Sequence, residues 1–155
     1  SKFNQDISQW NVSNVTNMSY MFQAGNFNQP LNSWDVSNVI QMKGMFQRAI
    51  NFDQPIEEWN VSKVIDMSFM FDRALKFNQP INNWDVTNLE TTANMFASSP
   101  KFNQALNSWD VSNVTDMSGM FNSSRFNQPL NNWAVSKVSN MSSMFNASIF
   151  NHDIS

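Results

Sequence analysis

The sequence has no cysteine, only three glycines, one histidine and nine lysines and arginines among 155 residues. Without cysteine there are no disulfide staples and no thiol chemistry, which suits either side of a membrane. The few basic residues form no cluster and the net charge is -3. That excludes the electrostatic footprint of a nucleic-acid binder and the polybasic patch of a membrane-surface protein. No apolar run approaches the roughly 20 residues that span a bilayer, so no membrane insertion is expected in this segment, and no signal-peptide pattern opens the chain. The lone histidine, His152, cannot complete a convincing nucleophile–base arrangement. Catalytic, cofactor-binding and metal-binding residues are therefore all expected to be absent: the chain reads as no enzyme.

Large apolar side chains are plentiful instead: 14 Phe, 11 Met and 6 Trp, set in an Asn-, Ser- and Gln-rich background. They recur at fixed intervals. A phenylalanine opens each unit at Phe3, Phe27, Phe52, Phe77, Phe102, Phe126 and Phe150, at spacings of 24 or 25 residues. Residues 1–155 thus read as one repeat domain of six full units and a partial seventh at 150–155. Length variation is confined to the segment between two phenylalanines, as in FQAGNF against FQRAINF, which marks a loop.

In the second unit, FNQPLNSWDVSNV and the residues after it, the recurring apolar positions are Phe27, Leu31, Trp34, Val36, Val39, Met42, Met45 and Phe46, with a small or apolar residue near Ala49. Trp34 and Val36 alternate with polar residues, the period of a short strand. Met42, Met45 and Phe46 stand at i, i+3 and i+4, the spacing of a helical face, and Asn17, Asp66, Asp116 and Asn140 precede the equivalent segments as capping residues. A helix of about two turns needs lateral packing to survive in water, and stacking identical units supplies it. The expected fold is an α/β solenoid: a right-handed, leucine-rich-repeat-like coil with one short parallel strand and one short helical turn per unit. Trp10, Trp34, Trp59, Trp84, Trp109 and Trp133 form its core ladder, and Leu31, Trp34 and Val36 match LxxLxL spacing.

The unit FNQPLNSWDVSNVTxMSxMF resembles the repeat of the BspA-like leucine-rich-repeat group found in mycoplasma lipoproteins and other bacterial surface proteins, a domain of unknown function. The W-[DN]-V-[ST]-[NK]-[VL] core followed by M-x-x-M-F carries the likeness over essentially the whole chain. It implies a right-handed solenoid, a bacterial cell-surface or secreted setting, adhesion to host or environmental partners, and no catalytic residues. The segment is expected to belong to a larger secreted or lipid-anchored protein. Thr92 in place of the first Met, Ala105 in place of Pro and Ala134 in place of Asp or Asn are local departures.

Residues pointing away from the core are the ones free to meet a partner. Those of the strand face are Ser33, Asp35, Ser37, Glu58, Asn60, Ser62, Asn83, Asp85, Thr87, Ser108, Asp110 and Ser112. One reading makes this face a recognition surface for a host or environmental protein or glycan. The other has Asp35 and its column bonding backbone N–H groups in turns. Asn and Gln ladders at Asn4, Asn28, Asn78, Asn103 and Asn127 and at Gln5, Gln29, Gln54, Gln79, Gln104 and Gln128 read as structural. The Met columns, although thioethers suit Cu(I), read as core. The function expected is therefore a non-catalytic recognition and adhesion module. The alternatives are a purely structural spacer of a surface protein, or an ice-binding or carbohydrate-active protein. The absence of capping units leaves the end coils open to end-to-end self-association.

Overall fold

The computed structural model describes residues 2–154. Successive units lie against one another in a stack of coils, and hydrogen bonds join residues 24 to 28 positions apart along its length. Among the described residues the coils contain no helix and no extended strand. A column of isolated parallel bridges links them: Asn17 to Gln41, then Asp66, Thr91, Asp116 and Asn140.

Both expected elements are thereby corrected. The strand expected at Trp34–Val36 does not form because its neighbours' N–H groups are used within the coil. Trp34 donates to the Leu31 carbonyl at 3.0 Å and Val39 to the Val36 carbonyl at 2.9 Å. The helical turn expected at Met42–Phe46 does not form because its middle residue is left-handed. That position has φ of 60° at Tyr20, 57° at Gly44, 59° at Phe69, 55° at Asn94, 60° at Gly119 and 57° at Ser143. One left-handed residue breaks a right-handed helix. The α/β solenoid, and with it the leucine-rich-repeat likeness, does not describe this chain.

What the segment makes instead is an alternating ladder. Met18, Tyr20, Phe22 and Ala24 donate their N–H groups to the carbonyls of Gln41, Lys43, Met45 and Gln47 on the next coil. The intervening Met21 and Gln23 N–H groups bond three residues back within the coil, and Ser19 donates to the Asn17 side chain. Asn17 therefore organises a turn rather than a helix. Every backbone donor in the segment is used, which is what burial of such a path demands.

The apolar columns pack as sequence periodicity placed them. Phe46 stacks on Phe52 at 3.9 Å, as do Phe71 on Phe77 and Phe96 on Phe102. Rings of adjacent coils follow at 5.6 Å for Phe46–Phe71 and Phe71–Phe96, giving one continuous aromatic spine. Trp59, Trp84 and Trp109 stack in their own column at 6.4 Å. Their indole N–H groups reach carbonyls one coil back, so these large rings are buried with no orphaned donor. Trp10 departs from the expected ladder: it lies on the end coil and is 56% exposed.

Side-chain oxygens of Asn, and of Asp53, do the pairing where the backbone does not. The Asn4, Asn28, Asp53, Asn78, Asn103 and Asn127 side chains each accept, through Oδ1, the backbone N–H of the equivalent residue one coil on. Gln79 and Gln104 reinforce this from their side-chain nitrogens. This column serves as a substitute strand made from side chains.

Candidate recognition face

Ser33, Asp35, Glu58, Asn60, Asn83, Asp85, Thr87, Ser108 and Asp110 are all exposed, and Ser37, Ser62 and Ser112 are half-buried at the same edge. The face predicted from the sequence is thus brought to the surface, although turns carry it and not a strand. Its middle column is built by local chemistry. Asp35 Oδ1 accepts the Ser37 N–H at 3.0 Å, and Asn60, Asp85 and Asp110 do the same for Ser62, Thr87 and Ser112 at 3.1, 3.1 and 3.0 Å. Thr87 adds its hydroxyl to Asp85 at 2.7 Å, and Ser62 adds its own to Asn60. These are Asx turns, in which a short polar side chain stands in for a backbone acceptor.

Neighbouring columns tie the turns across coils. Ser33 and Ser108 donate their hydroxyls to the carbonyls of Ser8 and Asn82. Asn38, Asn88 and Asn113 donate to Ser13, Ser62 and Thr87. The face is consequently a preorganised array, with the turn carboxylates of Asp85 and Asp110 one coil apart and that of Asp35 two coils from Asp85, Asn60 standing between them. Hydrogen bonds from the Ser37 hydroxyl and N–H hold the Asp35 carboxyl below the usual carboxylate range, with a smaller pull from Lys63. Ser112, and more weakly Lys137, do the same for Asp110. In Asp35, Asp85 and Asp110 the turn N–H is accepted by Oδ1. Lys63 and Lys137 bond Asn38 and Asn113 at 2.7 and 2.6 Å, adding cations beside the carboxylates.

A second feature escaped the sequence reading. A polar hollow of about 450 Å³ crosses several coils between Arg48, Asp72, Arg73, Asn94 and Asn122. Arg48 and Arg73 occupy the same place in FQRAINF and FDRALKF, and both are left-handed, with φ of 57° and 56°. The Asp72 carboxylate is buried and accepts the Gln47 amide at 2.9 Å. The signal lay in two arginines one unit apart inside a segment whose length variation marked it only as a loop. Guanidinium and amide donors here suit an acidic or hydroxyl-rich group.

Among the described residues no group of three or more His, Cys, Asp and Glu side chains is placed to hold a metal ion. No helix is long and apolar enough to cross a membrane.

The chain matches the family described as "Mycoplasma protein of unknown function, DUF285" over residues 1–103 and again over 80–155. The match agrees with the mycoplasma side of the resemblance seen in the sequence and is silent on the BspA-like leucine-rich-repeat group. No curated protein and no solved structure matches.

Proposed function

The chain belongs to that Mycoplasma family, and from this premise we propose that it is a non-catalytic recognition module, displayed at a cell surface, that binds a protein or glycan partner through the Ser33–Ser112 face. The observation that carries the reading is the state of Asp35, Asp85 and Asp110. Each is exposed, and each is oriented by its own Asx turn. Binding then costs little side-chain ordering, the main entropic penalty of a polar contact surface. Carboxylates one or two coils apart, alternating with hydroxyls and amides, present acceptors and donors in the mixed pattern that sugar hydroxyls or a polar protein edge require.

A second reading, an inert spacer, is favoured by the recurrence of the Asx turn in unit after unit, since a turn needed by every coil requires no ligand to explain it. The two separate on a triple variant, Asp35→Asn, Asp85→Asn and Asp110→Asn. Asparagine keeps the turn acceptor, as Asn60 does, but removes the charge. Recognition predicts that binding to cells, matrix proteins or a glycan array falls at least tenfold while the variant stays folded, with only a slight fall in melting temperature. Equal binding by the variant and the parent, or none by either, would leave the spacer as the better account.

A further inference from the structure

None of the lining of the polar hollow between Arg48 and Asn122 belongs to the Ser33–Ser112 face. The hollow lies on four inner coils, each bonded to a further coil on either side. Its place follows from one column of the sequence. Gln47, Asp72, Ala97 and Asn122 are equivalent residues of successive coils, since the Arg48, Arg73 and Ser98 N–H groups bond the Asp72, Ala97 and Asn122 carbonyls. Three of the four are larger polar residues and the fourth is alanine, so the column is interrupted at Ala97 and space opens there. The volume of about 450 Å³ falls within the roughly 300–1,000 Å³ of small-ligand sites.

The next position in each coil sets the rim. Arg48, Arg73, Ser98 and Ser123 have φ of 57°, 56°, 54° and 55°, so the same left-handed backbone presents all four side chains. Two of the chain's three arginines, in a sequence of net charge -3, thus stand one coil apart on one hollow. Both are exposed, and among the described residues neither guanidinium has a hydrogen-bond or ion-pair partner. Guanidiniums so placed suit an oxyanion, which arginine holds through parallel N–H···O bonds. Asp72 does not pair with them. Its carboxylate is buried and accepts the Gln47 amide at 2.9 Å, and Gln47 accepts the Gln23 amide at 2.6 Å.

The rest of the lining suits a sugar. The Asn94 side-chain amide lies over Gly119, whose missing Cβ makes room for it, and among the described residues it makes no hydrogen bond. Asn122 accepts the Ser123 hydroxyl through Oδ1 at 2.7 Å, which fixes the other end of that amide as the donor. Amides that donate and accept side by side match the neighbouring hydroxyls of a sugar ring, and half-buried Phe69 adds apolar surface for its C–H face. A peptide fits less well. The backbone N–H groups along the hollow are spent: those of Arg48, Arg73, Ser98 and Ser123 on the next coil, those of Gln47, Asp72, Ala97 and Asn122 three residues back. An added peptide strand finds no backbone donor to pair with.

We propose that this hollow is a separate binding site for an acidic saccharide. The carboxylate or sulfate of the sugar bonds Arg48 and Arg73, its ring lies over Ala97, and its hydroxyls bond Asn94, Asn122 and Asp72. Binding here is independent of the Ser33–Ser112 face, with which the site shares no residue.

Titration calorimetry at about 0.15 M salt, where loose attraction between exposed charges is largely screened, tests this. The probes are a sulfated heparin tetrasaccharide, trigalacturonate, neutral maltotriose and a hexaglutamate peptide. The parent should bind one or both acidic oligosaccharides saturably, one per chain, and maltotriose roughly tenfold more weakly. Whichever acidic probe binds tighter names the oxyanion, and either supports the site. Arg48→Gln with Arg73→Gln, both at exposed positions, should stay folded and lose about tenfold in affinity. Ala97→Gln keeps both charges and fills the gap with the residue its column has at Gln47; it should weaken binding comparably. Unchanged affinity in a folded Ala97→Gln means attraction by charge without a shaped site, and overturns the proposal. So does a parent that binds neither acidic oligosaccharide, binds maltotriose equally well, or prefers hexaglutamate. Nuclear magnetic resonance on the parent needs no variant: the Asn94 and Asn122 side-chain NH2 signals should shift as the acidic oligosaccharide is added, and static signals there refute the site.

Discussion

Trp34 donates its indole N–H to the carbonyl oxygen of Ile7 at 3.1 Å, although 27 residues separate them along the chain. The bond does two things. It satisfies a donor buried in the aromatic interior, and it fixes the register of one coil against the previous one. Repeated at Trp84 and Ile56, again at 3.1 Å, it makes the tryptophan column a set of clamps as well as a filler.

Trp84→Phe should therefore cost more than its change in apolar area. The Ile56 carbonyl loses its indole donor in the interior, and an unmade buried hydrogen bond costs about 1–3 kcal/mol. Loss of ring volume adds to that. Denaturant unfolding should show a midpoint well below the parent's, and Trp10→Phe, with no bond to lose, should leave it almost unchanged.

The tryptophan, phenylalanine and amide columns are all legible as columns in the sequence alone, because a stack makes equivalent residues neighbours. The local backbone was not. Met42, Met45 and Phe46 at i, i+3 and i+4 fit a helix, but a pair of turns around a left-handed residue presents the same three side chains inward. Glycine would have betrayed that conformation, yet it stands at only two of the six positions, Gly44 and Gly119, while Tyr20, Phe69, Asn94 and Ser143 conceal it. The exposed face was legible for the same reason as the core. The Arg48–Arg73 hollow was not, since it depends on where a loop folds.

Gly119→Ala tests the left-handed position directly. Its φ is 60°, and a Cβ there would press into the Asn94 side-chain amide on the preceding coil. The backbone term alone is about 1–2 kcal/mol, and the contact with Asn94 adds to it. Thermal unfolding should show a clear loss, and Asn94→Gly in the same background should recover part of it by opening the space and relaxing a second left-handed residue.

Thr92 breaks the first methionine column, and its hydroxyl is fully buried without a hydrogen-bond partner. Thr92→Val keeps the branched shape and removes the orphaned group. A buried unsatisfied polar atom costs about 1–3 kcal/mol, so this substitution should raise stability, measured as a higher denaturant midpoint at an unchanged slope. A lower midpoint would mean that the hydroxyl has a partner in solution.

Asp35, Asp110 and Asp6 are each held below the ordinary carboxylate range, the first two foremost by a serine hydroxyl two residues on and Asp6 foremost by the Ser8 N–H. A carboxyl whose folded value lies below its unfolded value stabilises the fold above the unfolded value, near pH 4 for aspartate. That contribution fades as pH falls through the folded value, because protonation removes the charged acceptor from the turn. Stability should therefore be flat from neutral pH down to about pH 5 and decline below pH 4. In Asp35→Asn with Asp110→Asn the turn acceptor persists but cannot titrate, so the acid decline should be shallower than the parent's. The same variant at pH 7 should lose the charge-assisted part of both turn bonds and melt slightly lower. Melting curves collected every half unit between pH 2.5 and pH 7 separate the two effects: parallel acid limbs in parent and variant would show that these two turns contribute nothing to the decline, and converging limbs would show that they do.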